Sequence, residues 1–328
     1  MPGEFELIAN YFNRPVRKAR LGVGDDCALI ALDTDMELAI STDMLVEGTH
    51  FLAGTDARRL GHKTLAVNLS DLAAMGAQPH YATLAMSLPH AEAVWLGDFS
   101  AGFLDLASAH GVELIGGDTT RGPLNLCVTV FGEVLAGGAI RRSGARADDD
   151  IWVSGTLGDA ALGLACLKGA VTLATEEAAY AVARLESPTP RVALGLALRG
   201  VASAMLDVSD GLIGDLRHLA QAAALDATVE AEALPLAEQL ARPWARMPLA
   251  ERLGFVAGSG DDYELCFTAA PSLRDQVRAA GARGAVRLTK IGRMSSRRGA
   301  SGAVFMRDAD GNPCLPTVSG HEHFWEPA

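Results

Sequence analysis

The residues best suited to chemistry in this sequence are aspartates in short motifs that also contain glycine, serine or threonine. One such aspartate is usually a turn or helix-cap residue, but six separate clusters are hard to explain in that way. Carboxylates beside hydroxyls, without clusters of His or Cys, are ligands for magnesium rather than for zinc or iron. The motifs are GVGDDCAL with Asp25 and Asp26, AISTDM with Asp43, VNLSDLAAMGA with Asp71, LIGGDTTRG with Asp118, LDVSDGL with Asp207 and Asp210, and GSGDDYEL with Asp261 and Asp262.

Glycines and an arginine near these aspartates indicate a phosphate ligand. Gly117 and Gly211 permit close backbone approach and positive φ, which suits a phosphate held by N–H groups. Ser209 and Asp210 lie where a helix is expected to start, so its amides could bind an anion, although ordinary helix capping explains the pattern equally well. Arg142 is a candidate for a phosphate contact, because a guanidinium group can form two hydrogen bonds to one phosphate. The sequence contains only four lysines, so arginine and metal would have to neutralise a bound phosphate.

Composition excludes several other classes of function. The 28 basic and 40 acidic residues give a net charge of −12, which disfavours general nucleic-acid binding. The sequence has no Gly-Lys pair, and therefore no Walker A phosphate loop. The five cysteines are widely separated, which excludes a zinc ribbon or a redox pair and is typical of reduced thiols. No nucleophile elbow is present, and Cys27 has no nearby histidine to activate it.

The ends and apolar runs of the sequence predict a soluble, cytoplasmic protein. The N-terminal MPGEFELIANYF carries two glutamates and lacks the apolar stretch of a signal peptide. No apolar run approaches the roughly 18 residues that a membrane-spanning helix needs.

Short apolar runs alternate with longer amphipathic ones, which predicts an α/β or α+β fold in two domains. Strands are expected at 37–41, 81–88, 112–115 and 124–134, and helices at 57–75 and 92–109. The glycine-rich, charged stretch 137–150 predicts the domain boundary, giving domains at 1–140 and 141–328. The second half is expected to contain strands at 151–154, 227–232, 263–268, 286–292 and 303–307, and helices from 159, around 190–200 and up to about 223.

Taken in order, the motifs GVGDDCA, STDM, NLSDLAAMGA, GGDTTRGP and DVSDGL, followed by DYELCF, resemble the thiamine-monophosphate kinase family of the AIR-synthetase-like superfamily. The resemblance extends from GEFELIANYF to GHEHF, and NLSDLAAMGA followed by GGDTTRGP is its most specific part. It implies a homodimer in which the strands of the N-terminal α/β domains form an intersubunit barrel. It also implies that the α/β domain at 1–140 binds ATP and magnesium, that residues 141–328 form an α+β domain, and that ATP lies in a cleft near the dimer interface.

The resemblance also implies ligand contacts at particular residues. ATP contacts correspond to Gly117, Asp118, Arg142 and Ser209. Thiamine monophosphate contacts correspond to His50, Asp261 and His321, where the family usually has Glu in place of Asp261 and Tyr or Trp in place of His321. The magnesium ligands, for several ions, correspond to Asp26, Ser41, Thr42, Asp43, Asp71, Asp118, Asp207 and Asp210.

The implied reaction is Mg²⁺-dependent, direct in-line transfer of the γ-phosphoryl group of ATP to thiamine monophosphate, a step of thiamine diphosphate biosynthesis. Its nucleophile is a phosphate oxygen with a second pKa of about 6, so no general base is needed. Two alternatives stay open: another AIR-synthetase-like enzyme acting on a different acceptor, or a nucleotide and metal sensor without catalysis. A selenophosphate synthetase would need a reactive Cys in a glycine-rich N-terminal segment, whereas Cys27 lies within the metal motif.

Overall fold

The structure is a computed structural model that describes residues 8–19, 30, 33–296, 302–314 and 316. Asp26 and His321 lie outside the described residues. The chain divides into two compact units, the first comprising Met1–Leu72 and Ala77–Ala139 and the second Ala73–Gly76 and Ile140–Ala328. The assignment of ATP and magnesium binding to residues 1–140 stays a prediction.

The first unit is built on a four-stranded mixed sheet in the order β1-β4-β2-β3. β2 and β3 are parallel neighbours, whereas β4 runs antiparallel to both β1 and β2. Residues along β4 alternate between buried and half-buried, which is the pattern of a sheet with one face packed on a core. The strands are β1 (Met36–Val46), β2 (Gln78–Leu88), β3 (Glu113–Arg121) and β4 (Asn125–Leu135).

Two helices, α1 (Ala57–Ala74) and α2 (Ala93–His110), confirm the helices predicted in this half. α2 ends at Gly111, which adopts φ 65° as its C-cap, and Gly76 after α1 adopts φ 64°. The core of this unit includes Leu65, Leu69, Phe99 and Phe103, all almost completely buried. In the described part of the chain, no helix is both long and apolar enough to span a membrane.

All four strands of the first unit differ from their predicted bounds, β4 by only one residue at each end. β1 was expected to end at Ser41 but continues through Thr42, Asp43 and Met44, and β3 continues through the Gly116-Gly117-Asp118 segment. β2 starts at Gln78 rather than Tyr81. Cross-strand pairing with a neighbour satisfies the backbone of these polar and glycine-rich residues, and this information is absent from local periodicity.

The second unit is built on a six-stranded sheet in the order β10-β7-β9-β5-β8-β6. All neighbouring pairs are antiparallel except β10 and β7, which are parallel. The strands predicted in this half are confirmed with shifts of up to four residues at their ends, whereas β6 was not predicted. The six strands of this sheet are β5 (Asp150–Ser154), β6 (Ala204–Val208), β7 (Leu225–Glu230), β8 (Glu264–Ala269), β9 (Leu288–Ser296) and β10 (Val304–Arg307).

The helices of the second unit include several that the sequence reading did not place. Predicted helices are confirmed at Asp159–Leu167 (α3), Val192–Ala197 (α5) and Leu212–Ala223 (α6). The helices that were not predicted bury few apolar side chains, two in α4 for example, so their periodicity is weak. They are α4 (Thr175–Glu186), α7 (Ala241–Arg246), α8 (Leu249–Val256) and α9 (Arg274–Arg283).

Candidate active site

In the first unit, side chains of β1 and α1 connect two of the predicted metal-binding motifs. The Ser41 hydroxyl donates a hydrogen bond to Oδ2 of Asp71 at 2.5 Å. The backbone N–H of Asp43 donates to Oδ1 of Asn68 at 2.9 Å, and the fully buried Asn68 donates in turn to the Thr64 carbonyl. We call Ser41, Asp43, Asn68 and Asp71 the β1–α1 cluster.

The β1–α1 cluster depends on two structural periods. Ser41 and Asp43 are two residues apart on a strand and therefore share a face, and Asn68 and Asp71 are three apart on a helix and share a side. The residue paired with Asp43 on β4 is Val128, which is fully buried, so this is the core face of the sheet. Half-buried Asp71 thus lies beside a strand hydroxyl, and its role as a magnesium ligand stays a prediction.

Thr42 and Asp118 lie on the opposite face of the same sheet. Thr42 is exposed, and its hydroxyl is 2.9 Å from that of Thr129, its partner on β4. Asp118 is paired with the exposed Ala85 of β2, and its Oδ1 accepts the N–H of Thr119 at 2.9 Å. Strand alternation therefore separates these two predicted metal ligands from Ser41 and Asp43.

Gly117, a predicted ATP contact, lies where β3 runs against β2 without room for a side chain. It adopts φ 152°, and a Cβ on Gly117 would lie 1.8 Å from the Leu84 carbonyl oxygen. The glycine thus allows the backbone that carries Asp118 to pair directly with β2.

His50, a predicted contact of thiamine monophosphate, lies in the turn that follows β1. Its Nδ1 accepts the N–H of Val46 at 3.0 Å, and its own N–H donates to the Val46 carbonyl at 2.9 Å. The tautomer with Nδ1 as acceptor carries its proton on Nε2, so the ring presents a donor there. The buried Lys63 approaches the His50 carbonyl at 3.4 Å.

In the second unit, Asp207 and the loop 209–211 connect β6 to α6. Asp207 is buried near the end of β6, whereas Asp210 is exposed. The N–H groups of Ser209, Asp210 and Gly211 all donate to one oxygen, Oδ2 of Asp215, at 3.1, 3.2 and 3.1 Å. These amides were considered as a possible anion site, and the structure directs them to a carboxylate of the chain itself.

Asp215 was not identified from the sequence as a site residue. It lies in the first turn of α6, and burial, followed by the negative charge of Asp210, raises its pKa to about 7. An acidic residue in a first helical turn is a common feature, so the LDVSDGLIGDL sequence provided only a weak signal for it.

The segment that carries Asp261 is hydrogen-bonded to the strand end that carries Asp207 and Ser209. Asp261 N–H donates to the Ser209 carbonyl, and Tyr263 N–H donates to the Val208 carbonyl, both at 2.8 Å. Asp261 and Tyr263 both have positive φ, 68° and 49°. Backbone hydrogen bonds therefore join the segment predicted to contact thiamine monophosphate to the strand end predicted to contact ATP and magnesium.

Arg142 lies in a short 3₁₀ turn, Arg142–Gly144, that packs against β6 and α6. The turn approaches closely, since a Cβ on Gly144 would lie 1.9 Å from the Ser203 carbonyl oxygen. The structure thus places the exposed Arg142 on a turn that packs against the two elements flanking the 209–211 loop.

A buried ionic network lies next to the Asp261 segment, and the sequence reading did not identify it. Fully buried Glu264 accepts hydrogen bonds from Arg184 at 2.8 Å, from Arg191 at 2.7 Å and from the Ser154 hydroxyl at 2.5 Å. Asp262, between Asp261 and this network, accepts the Gly158 N–H with both of its oxygens. Burial raises the pKa of Asp262 well above its usual range, an effect that the Gly158 hydrogen bond opposes.

Comparison with known proteins identifies the family of this chain. Residues 24–134 match the family model of the AIR synthase related protein N-terminal domain, and residues 146–304 match that of its C-terminal domain. A thiamine-monophosphate kinase of Salmonella typhimurium is 45% identical over 330 residues, covering 99% of each protein. The chain belongs to the thiamine-monophosphate kinase family. The resemblance inferred from the motifs is thereby confirmed, together with the two-domain AIR-synthase-like fold.

Two solved structures of this family resemble the chain along most of its length. The thiamine-monophosphate kinase of Stenotrophomonas maltophilia has 46% identity and a TM-score of 0.80, with coverage of 90% of this chain and 92% of that one. AaThiL, solved in complex with AMPPCP and TMP, has 29% identity and a TM-score of 0.76, with coverage of 90% and 89%.

The described residues match in chemical type the donors that this family would need for magnesium. The predicted ligands are carboxylates and hydroxyls, and Ser41 and Asp71 are already in contact. Among the residues that the structure describes, no three acidic, histidine or cysteine side chains are close enough to hold an ion by themselves.

Proposed function

We propose that this chain catalyses ATP-dependent phosphorylation of thiamine monophosphate to thiamine diphosphate. The observation that carries this proposal is the near-complete alignment with the thiamine-monophosphate kinase of Salmonella typhimurium. The likeness to AaThiL, solved with AMPPCP and TMP, supports both ATP and thiamine monophosphate as ligands.

In the proposed reaction, an oxygen of the acceptor phosphate forms a bond to the γ-phosphorus of ATP. The bond from that phosphorus to the β–γ bridging oxygen breaks, and ADP leaves with its electron pair. The acceptor phosphate is already mostly ionised at neutral pH, so the protein needs no general base. Its task is to align two polyanions and to stabilise the charge on the transferred group.

Magnesium, when bound, would supply charge neutralisation between the two phosphate groups. We propose that several ions are held, with Asp26, Ser41, Thr42, Asp43, Asp71, Asp118, Asp207 and Asp210 as ligands. The hydrogen bond between Ser41 and Asp71 supports placing the AISTDM and VNLSDLAAMGA motifs in one metal site.

Nucleotide and acceptor would contact different groups of the chain. Gly117, Asp118, Arg142 and Ser209 are proposed to contact ATP, with Arg142 as a bidentate partner of a phosphate. His50 and Asp261, with His321 outside the described residues, are proposed to contact thiamine monophosphate. The carboxylate of Asp261 has the charge to face the cationic heterocycle of thiamine.

The test is a coupled assay of ADP release from ATP and Mg²⁺ with thiamine monophosphate as the sole acceptor. We expect ADP and thiamine diphosphate in equal amounts, and no ADP release when the acceptor is omitted. Release with an unrelated phosphorylated or amide substrate, and none with thiamine monophosphate, would overturn the proposal. Mg²⁺-dependent binding of ATP without turnover on any of these acceptors would favour the alternative that the protein is a nucleotide and metal sensor without catalysis.

We also propose that the chain is a homodimer formed through the exposed face of the first unit's sheet. On that face the large apolar side chains of Ile40 and Met44 of β1 are 58% and 53% exposed. The family resemblance provides the partner, a second copy whose strands continue the sheet into a barrel. Burying these side chains against a second copy would remove their apolar surface from water.

A further inference from the structure

One carboxylate oxygen organises the loop between β6 and α6. Oδ2 of Asp215 lies 3.1–3.2 Å from three consecutive backbone nitrogens, those of Ser209, Asp210 and Gly211. Asp215 is only 7% exposed, so these hydrogen bonds are largely shielded from water. Three successive N–H groups that converge on one point form the concave anion-binding arrangement that many phosphate sites use.

Because the three amides already donate to Asp215, the loop has few other groups with which to bind a ligand. The amides of Ser209, Asp210 and Gly211 already have an acceptor, so a nucleotide phosphate would have to displace Asp215 to use them. The groups that the loop leaves for a ligand are the hydroxyl of Ser209 and the carboxylate of Asp210, which is exposed. Asp215 instead determines where the backbone that carries those two groups lies.

The conformation of the loop requires such a partner. Gly211 adopts φ 119°, and a Cβ there would lie 2.9 Å from the Gly258 carbonyl oxygen, so the chain is closely confined at this point. The Ser209 carbonyl accepts the N–H of Asp261, which couples the loop to the acceptor segment. Without Asp215, three amides at a partly buried turn would need new acceptors, and the loop would rearrange to reach them.

We infer that Asp215 is a positioning residue of the nucleotide and metal side of the site, which holds Ser209 and Asp210 in place through the three backbone amides. The identity of the ligand rests on the proposed function, whereas the role of Asp215 in holding the loop does not. Asp215 itself is not a ligand in this proposal.

The variants that test this are Asp215→Ala, Asp215→Asn and Asp215→Glu, with Asp226→Ala as the matched control. Asn keeps an oxygen acceptor at the same position, and Glu keeps the charge but displaces it by one methylene. Asp226 is also buried in the second unit, 2% exposed, and accepts a backbone N–H, from Ala303 at 3.0 Å. A purely structural role predicts the same behaviour for Asp215→Ala and Asp226→Ala.

The first measurement is hydrogen–deuterium exchange of the 207–216 segment in the intact protein. We expect Asp215→Ala to accelerate exchange of the 209–211 amides, whereas Asp226→Ala leaves them near wild type. Unchanged exchange of these amides in Asp215→Ala overturns the proposal whatever reaction the protein catalyses.

The second measurement is binding of AMPPCP with Mg²⁺ by calorimetry, together with KM for ATP and for thiamine monophosphate. For Asp215→Ala and Asp215→Glu we expect the AMPPCP dissociation constant and KM for ATP to rise at least about tenfold. KM for thiamine monophosphate should change less, and Asp215→Asn should restore most of the loss.

Wild-type nucleotide affinity in both Asp215→Glu and Asp215→Ala overturns the proposal, and Asp215→Glu serves alone if Asp215→Ala does not fold. If the wild type binds AMPPCP but does not phosphorylate thiamine monophosphate, the proposed function fails and the binding comparison still decides the role of Asp215.

Discussion

The two faces of the first unit's sheet give the proposed metal ligands different environments. Ser41 and Asp43 lie on the face that packs against α1, where Asn68 and Asp71 meet them. Asp118 lies on the exposed face, and its carboxylate accepts a hydrogen bond from the N–H of its neighbour Thr119. A substitution at Asp118 therefore separates function from folding better than one in the β1–α1 cluster.

Asp118→Asn should reduce kcat at least about a hundredfold while leaving the melting temperature near wild type, because it removes a ligand charge without disturbing packing. Steady-state kinetics and differential scanning fluorimetry check both parts. Asp98→Asn, at another exposed aspartate, should alter neither quantity. Full activity of Asp118→Asn would show that this carboxylate is not a ligand.

Asp261→Glu should leave KM for thiamine monophosphate unchanged or lower it, because the family usually has the longer acid at this position. Asp261→Ala should raise that KM while KM for ATP changes little. Both variants need a Tm control, since Asp261 has positive φ and a longer side chain adds strain there. A rise in KM for thiamine monophosphate in Asp261→Glu would show that the acceptor pocket is misassigned.

At the scale of secondary-structure elements, β3 and β2 are paired closely because Gly117 has no side chain. Gly117→Ala should lower the melting temperature by several degrees, since the added Cβ would lie 1.8 Å from the Leu84 carbonyl oxygen. Gly137→Ala is the matched control: φ is also positive at 72°, but nothing lies within 4 Å of the added Cβ. An equal loss of stability in the two variants would attribute the effect to backbone strain alone.

The network around Glu264 connects β8 to β5, α4 and the start of α5 through Ser154, Arg184 and Arg191. Glu264→Gln removes the buried charge between two partly buried arginines and should destabilise the protein by about 3–5 kcal/mol. Urea denaturation measures this change. Glu177→Gln, which breaks an ion pair with the mostly exposed Arg242, should remain close to wild type.

At the scale of the whole molecule, the exposed apolar side chains of β1 predict a partner surface. Met44→Asp and Ile40→Asp should each convert a dimer to a monomer, because a charge would be buried between the two sheets. Sedimentation velocity gives the mass directly. Val94→Asp, at an 80% exposed valine of α2, should leave the mass of the assembly unchanged. A wild-type protein that sediments as a monomer would contradict the proposed dimer.

Local sequence was sufficient for much of the fold and of the candidate site. β4, α1 and α2 could be predicted because apolar residues recur along them with the period of a strand or of a helix. Gly111 ends α2 because a residue in the left-handed conformation is needed there. The aspartate motifs indicated oxygen ligands for magnesium, because carboxylates and hydroxyls recur in them without histidine or cysteine. The order of these motifs was enough to identify the family.

Only the tertiary structure decided which of these groups meet. Pairing with β4 extends β1 through Thr42 and Asp43, and strand alternation then places these two neighbours on opposite faces of the sheet. Asp215 captures the three amides of the 209–211 loop, and Glu264 binds Arg184 and Arg191 from 80 and 73 residues away. The physical reason is that periodicity depends on neighbours along the chain, whereas strand register, a shared acceptor and a buried ion pair depend on contacts that exist only after folding.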